Sequence, residues 1–199
     1  MQSDRILREL NHRIQNNFQI ITSLINLKKR ARPSDPEHDL RFIEEHVHSM
    51  AIAYRLVYAT GEMIEISAAQ LIREVLSSLR HIAGLDVDCL ALEGFSFTES
   101  MGLDQAIALS LYLAITVPPM FDHAVRTRTG VTATGTLQDG LLTLSMTARS
   151  KLPIELDYLR MRLMKAYLEH LHAEELPSTK AGIQLLRFQI DPRRGVVFT

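Results

Sequence analysis

Only one cysteine, Cys89, occurs in the 199 residues. A lone thiol excludes an intrachain disulfide and a multi-cysteine metal site, and it fits a reducing compartment. No charge of one sign dominates: 22 Lys and Arg face 23 Asp and Glu, for a formal net charge of -1 and a pI of about 6.7. That balance gives no global attraction to nucleic acid or an anionic membrane, both of which favour basic partners, so neither is expected as a partner. A signal-peptide core is missing too, because Asp4, Arg5, Arg8 and Glu9 put charge throughout the first ten residues. No uninterrupted apolar run approaches the roughly 20 residues a bilayer span requires. There is no internal repeat and no low-complexity segment. These absences together predict a cytoplasmic protein.

What remains is ordinary globular material, 46% hydrophobic and 23% charged, enough for one or two domains with a real core. The first third predicts two long helices. Leu7, Leu10, Ile14, Ile21 and Leu24 recur at spacings of three and four, with Asn17 at the missing position and Phe18 beside it. Ser3 or Asp4 can cap the start. The stretch Arg32-Pro33-Ser34-Asp35-Pro36 ends the helix, because proline lacks an amide donor and restricts its predecessor. A second seam runs through Ile43, Val47, Met50, Tyr54 and Val57 and closes near Thr60-Gly61. A lone helical hairpin cannot bury two such stripes, and a second copy completing a four-helix bundle can. A homodimer is the expectation.

From Met63 the texture changes. A short strand at Met63 to Ile66 leads into a helix over Ser67 to Ala83, with Leu71, Ile72, Val75, Leu76 and Leu79 inward. Another strand is predicted at Val87 to Leu92. Leu103 to Val125 is apolar and mostly helical, with Pro118-Pro119 as a break. Val131 to Leu137 and Leu141 to Ala148 alternate around Gln138-Asp139-Gly140, a hairpin signal. A helix over Glu155 to Leu171 and strands at Ile183 to Ile190 and Val196 to Thr199 complete the chain. The class is α+β, divided into a helical hairpin at 1–61 and an α/β sandwich at 62–199.

His12 is the candidate centre. At about 100° per residue it falls opposite the midpoint of Leu10 and Ile14. It shares a polar face with Arg5, Arg8, Gln15, Asn16, Gln19, Ser23 and Asn26, while Glu9 lies on the flank. A face of cations and amides without a carboxylate suits a phosphoryl group, which carries nearly two negative charges. A neutral imidazole is a competent nucleophile toward phosphorus. Position alone equally describes a solvated histidine on a long helix. The other histidines support no metal site: His46 with His48, and His170 with His172, alternate along helices and point about 200° apart. Solvated surface is the expectation for all four, and His81 and His123 receive no role.

The string Glu9-Leu10-Asn11-His12-Arg13-Ile14-Gln15-Asn16-Asn17-Phe18-Gln19, continuing to Leu27, resembles the phosphoacceptor helix of sensor histidine kinases related to the HWE type of alphaproteobacteria. The segment His48-Ser49-Met50-Ala51-Ile52-Ala53-Tyr54-Arg55-Leu56-Val57-Tyr58 is similar to that family's closing helix before its ATPase domain. Gln15 departs from the family's usual Lys. The resemblance implies that His12 is the phosphoacceptor, and the polar face around it, with Arg8, Arg13, Gln15 and Asn16, is where the receiver domain of a response regulator is expected to dock. It also implies a histidine-kinase ATPase fold for the second part. In that family a Glu and an Asn on one helix serve the ATP-bound metal. Here the matching positions hold Ile115 and Pro119, neither of which ligates Mg²⁺. The Asp-x-Gly-x-Gly loop is replaced by Thr147-Ala148-Arg149-Ser150-Lys151-Leu152-Pro153, and the later glycine-rich turn falls at Tyr158 to Lys165, which has no glycine.

The implied picture is a retained fold without its own ATP cofactor, using Mg²⁺ supplied by the receiver partner. The first reading is a histidine phosphotransferase exchanging a phosphoryl group between His12 and the receiver Asp. An alternative is a response-regulator phosphatase in which Asn16, one turn beyond His12, orients water. A non-catalytic receiver-binding scaffold and an active kinase are the further readings.

Overall fold

The computed structural model describes residues 18–29, 36–59, 65–148, 156–176 and 183–191. The chain divides into two compact units, Met1–Val47 and His48–Thr199, and the division falls inside one long helix.

In the first unit, residues 18–29 form helix α1 and α2 starts at Pro36, running to Ala59. Proline at the first helical position costs nothing there, because that amide has no partner within the helix; Glu37 and Asp39 complement the positive end. Leu24 and Phe42 are buried. Lys28 ties the two helices, pairing with Asp39 at 3.0 Å and lying 4.7 Å over the Phe42 ring. The seam of α2 differs from the expected one. Phe42, Glu45, His46, Ser49, Ala53 and Leu56 are buried, whereas Ile43, Val47 and Tyr54 stay half-buried. The buried stripe is therefore rotated by about one residue, or 100°, and only Met50 and Val57 of the expected seam lie fully inside.

The second unit is an α/β sandwich. A two-residue strand β1 (Ile66–Ser67) pairs antiparallel with β3 (Ser100–Met101). Helix α3 (Ala68–Ile82) follows at once, its first turn capped by the Ser67 hydroxyl accepting from the Gln70 N–H at 3.3 Å. All five expected inward residues of α3 are buried. The strand expected from Val87 begins only at Leu90: Val87–Cys89 form a 3-10 turn with Val87 exposed, and β2 spans Leu90–Glu93. Leu103 to Val125 resolves into α4 (Leu103–Thr116) and α5 (Pro118–Thr127), parted at the prolines. Nearly every residue of α4 is buried, the mark of a helix covered on all sides. The segment 103–127 is long and apolar enough for a membrane span by composition, yet 89% of its most apolar window is buried within the chain.

Strands β4 (Val131–Gln138) and β5 (Leu141–Ala148) form the expected hairpin, with Asp139 and Gly140 at φ 52° and 75°. Two consecutive left-handed residues are the turn whose twist matches the strands. Helix α6 (Tyr158–Leu171), β6 (Glu174–Leu176) and β7 (Ile183–Gln189) complete the described fold. The main sheet runs β2-β4-β5-β7-β6, parallel between β2 and β4 and antiparallel elsewhere. One face, with Val131, Ala133, Leu142, Leu144, Met146, Leu186 and Phe188, is buried; the other carries half-exposed Thr132, Thr134, Thr143, Ser145 and Thr147. Of the strand expected at Met63 to Ile66, residues 63–64 lie outside the described residues and Ile66 begins β1; the strand expected at Val196 to Thr199 lies wholly outside them.

Candidate functional site

His12, Asn16, Arg8, Arg13 and Gln15 all lie outside the described residues. Of the expected polar face, only the residues from Gln19 on fall within the described helix α1. Gln19, Ser23 and Asn26 are exposed while Leu24 is 2% exposed.

One histidine departs from expectation. His46 is fully buried rather than solvated, and its Nδ1 donates to the Phe42 carbonyl at 2.6 Å, with the two rings 4.2 Å apart. The rotated seam of α2 explains this, since position 46 follows Phe42 by one turn and shares its buried side. His48, His170 and His172 are exposed as expected. No group of three or more metal-ligating side chains occurs among the described residues.

The positions that the resemblance ties to a nucleotide lie in the second unit, where all but 149–153 are described. Ile115, at the expected position of an acidic ligand, is 0% exposed and lies in the last turn of α4. Pro119 sits in the first turn of α5 and is half-buried. The stretch 158–165, where the family's glycine-rich turn would fall, lies within the expected helix, here α6. Asp157 caps α6, its Oδ1 accepting from the Arg160 N–H at 2.7 Å. Arg160 then sends its side chain inward. Only 6% of the residue is exposed, and Nη1 donates to the Ile115 carbonyl at 3.0 Å. Helix α6 is thereby joined directly to the last turn of α4. An aliphatic side chain, a proline ring and a buried guanidinium present no oxygen donor for Mg²⁺ at these positions. Of the replaced loop, Thr147 and Ala148 end β5, and 149–153 lie outside the described residues.

Two features were not singled out from the sequence. Arg160 is one; the adjacent prolines mark two missing amide donors, but nothing in the sequence points from them to residue 160. Tyr167 is the other. It is half-buried on α6, and burial pushes its phenol up to about 12. Elsewhere, Gln105 clamps the start of α4 to the end of β7, donating to the Gln189 carbonyl at 2.7 Å and accepting from the Asp191 N–H at 3.0 Å. Glu74 of α3 accepts from both Gln70 and Arg55.

Residues 9–83 match the family model HisKA_2, described as histidine kinase. No curated protein matches the chain. The histidine kinase domain from a blue-light activated histidine kinase of Erythrobacter litoralis superposes with a TM-score of 0.62 at 14% identity, over 77% of this chain and 76% of that one. A longer structure of the Erythrobacter litoralis blue-light activated histidine kinase gives 0.69 at 17% identity, over 96% of this chain and 60% of that one. At such identities the likeness is one of fold: a helical hairpin and an α/β sandwich arranged in sequence as in histidine kinases.

Proposed function

We propose that this chain, whose residues 9–83 match a histidine kinase family model, is an HWE-related member of the sensor histidine kinases that works as a histidine phosphotransferase and not as an ATP-driven kinase. Members of the histidine kinase family dimerise and signal to response regulators. In this reading residues 1–61 form the dimerising phosphotransfer hairpin and 62–199 a sandwich that has kept its fold and lost its nucleotide chemistry. The observation that carries the reading is the Arg160–Ile115 hydrogen bond, made where a kinase of this family would present groups to ATP.

In the proposed step, a neutral nitrogen of His12 attacks the phosphorus of a receiver aspartyl phosphate. The N–P bond forms as the bond from phosphorus to the acyl oxygen breaks. The Asp carboxylate leaves with the electron pair, and the phosphoimidazolium releases the one proton on its other ring nitrogen to solvent. The reverse reaction returns the phosphoryl group. The chain's contribution is alignment of donor and acceptor; Arg8, Arg13 and Gln15 hold the receiver, and Mg²⁺ belongs to the receiver. The reaction takes place in the cytoplasm.

Asn16 supports a second reading, since an amide one turn beyond His12 can orient water toward the aspartyl phosphate. One assay tests both. The protein is mixed with a receiver carrying labelled phosphate, and the label is followed in wild type, His12→Ala and Asn16→Ala. Acid-labile label on wild type that disappears in His12→Ala supports transfer. Free phosphate released by His12→Ala and abolished in Asn16→Ala supports the phosphatase. A receiver that is bound but chemically unaltered by all three proteins overturns both in favour of a scaffold.

A further inference from the structure

We infer that Arg160 is a positioning residue, a substitute donor for the amide that Pro119 lacks, and that it latches the first turn of α6 onto the end of α4. The argument starts from the backbone. Val117 keeps right-handed helical angles, φ -81° and ψ -43°, so the chain continues helically through the junction of α4 and α5. Its N–H donates to the Leu113 carbonyl at 2.9 Å, as the helical ladder requires. The next two rungs would run from residue 118 to Ala114 and from residue 119 to Ile115. Both donors are proline and carry no hydrogen. The ladder resumes with Met120 and Phe121, which both donate to the Val117 carbonyl, at 2.9 and 3.1 Å.

The Ile115 carbonyl is therefore passed over by its own helix while its residue is fully buried. A buried carbonyl without a donor is costly. Arg160 Nη1, 3.0 Å away and 45 residues later in the chain, supplies the missing hydrogen. Two further effects favour a guanidinium over a neutral donor. It meets the negative end of α4, and its charge is partly balanced by the Asp157 carboxylate, whose Oδ2 lies 3.9 Å from Nε. Asp157 is also the cap of α6, so one residue pair fixes both where α6 begins and how it seats on α4. The latch makes the placement of α6 a property of the chain alone. It goes beyond the phosphotransfer reading and holds whether or not His12 carries phosphate.

Rescue by restoring the backbone donor is the test, because packing or charge alone would not produce it. Four full-length proteins are compared by thermal unfolding and by native amide exchange in the first turn of α6: wild type, Arg160→Ala, Pro119→Ala and the double variant. Arg160→Ala in the wild-type background is expected to lower Tm by roughly 5–10 °C and to speed exchange in that turn. In the Pro119→Ala background, where residue 119 regains an N–H aimed at Ile115, the same substitution is expected to lower Tm by less than half as much. An equal fall in both backgrounds overturns the inference, as does unchanged exchange in Arg160→Ala. Should Arg160→Ala be recovered only as aggregate, Arg160→Met preserves side-chain bulk and is carried through the same cycle with the same two readings.

Discussion

The Phe95 ring occupies the space that any side chain on Gly135 would need: a Cβ built there stands 2.6 Å from the ring's Cε1 and 2.8 Å from Cδ1. Phe95 is buried and anchored, its carbonyl accepting from Arg73 of α3. It therefore joins the helix layer to the middle of β4. Gly135→Ala is expected to destabilise by about 1–3 kcal/mol through overpacking, measured as a shift in the urea midpoint. Adding Phe95→Leu, which removes ring atoms, is expected to recover part of that loss. Two additive losses would show that the conflict lies elsewhere.

Tyr167 gives the fold a dependence on alkaline pH. Its phenol is held protonated up to about 12 in the folded chain, against 10.0 unperturbed, because burial disfavours the phenolate. Between those values the unfolded chain releases a proton that the folded chain keeps, so the unfolded state binds fewer protons and stability falls as pH rises. The contribution is complete below about pH 10 and disappears as pH approaches 12, with an amplitude of at most about 2 kcal/mol for a ring that is not fully enclosed. Urea unfolding of wild type and Tyr167→Phe near pH 8 and near pH 11 isolates it. The variant is expected to lose less stability between the two conditions; equal losses would remove Tyr167 as the cause.

Neither the chain nor its simplest reversion is expected to bind Mg²⁺–ATP. Pro119→Asn restores an amide oxygen, but Ile115 stays aliphatic and Arg160 still fills the space between α4 and α6. Equilibrium binding with labelled ATP should show no Mg²⁺-dependent saturation through millimolar nucleotide in either protein. Tight Mg²⁺-dependent binding by wild type would falsify the assignment of a nucleotide-free sandwich.

How far the residues foretold this architecture depended on the length of the pattern. The hairpin β4–β5 was legible because eight-residue alternation flanks Asp139-Gly140, and α3 because its apolar residues repeat over fifteen positions. Strands β3 and β6 were not, since two or three residues cannot display a period. The second seam was placed one residue off because Glu45, His46 and Ser49 are polar yet buried, and a hydrophobicity pattern assigns such residues to the surface. At the candidate site, the replacements Ile115 and Pro119 could be read from the sequence. The hydrogen bond from Arg160 to Ile115 could not, because the partners are 45 residues apart and joined through a backbone carbonyl that every residue type possesses.

The rotated seam also bears on assembly. Phe42 and His46 point into their own chain, which leaves Ile43 and Val47 half-exposed one residue along, with Leu40 70% exposed and Phe18 of α1 64% exposed. A helix whose apolar residues exceed what its partner helix covers has a second stripe to bury, and a four-helix bundle of two hairpins buries it. The full chain is therefore expected to sediment as a dimer. Placing charge in the stripe with Ile43→Glu and Val47→Glu together should weaken association by several kcal/mol, because each unpaired carboxylate would be desolvated at the interface. Leu40→Lys, at the exposed edge, should weaken it less. Sedimentation equilibrium across a concentration series distinguishes these outcomes, and the sandwich's unfolding provides the control for loss of fold. A wild type that remains monomeric at the highest concentration, or a double variant that dimerises as tightly as wild type, would show that this stripe is not where two copies meet.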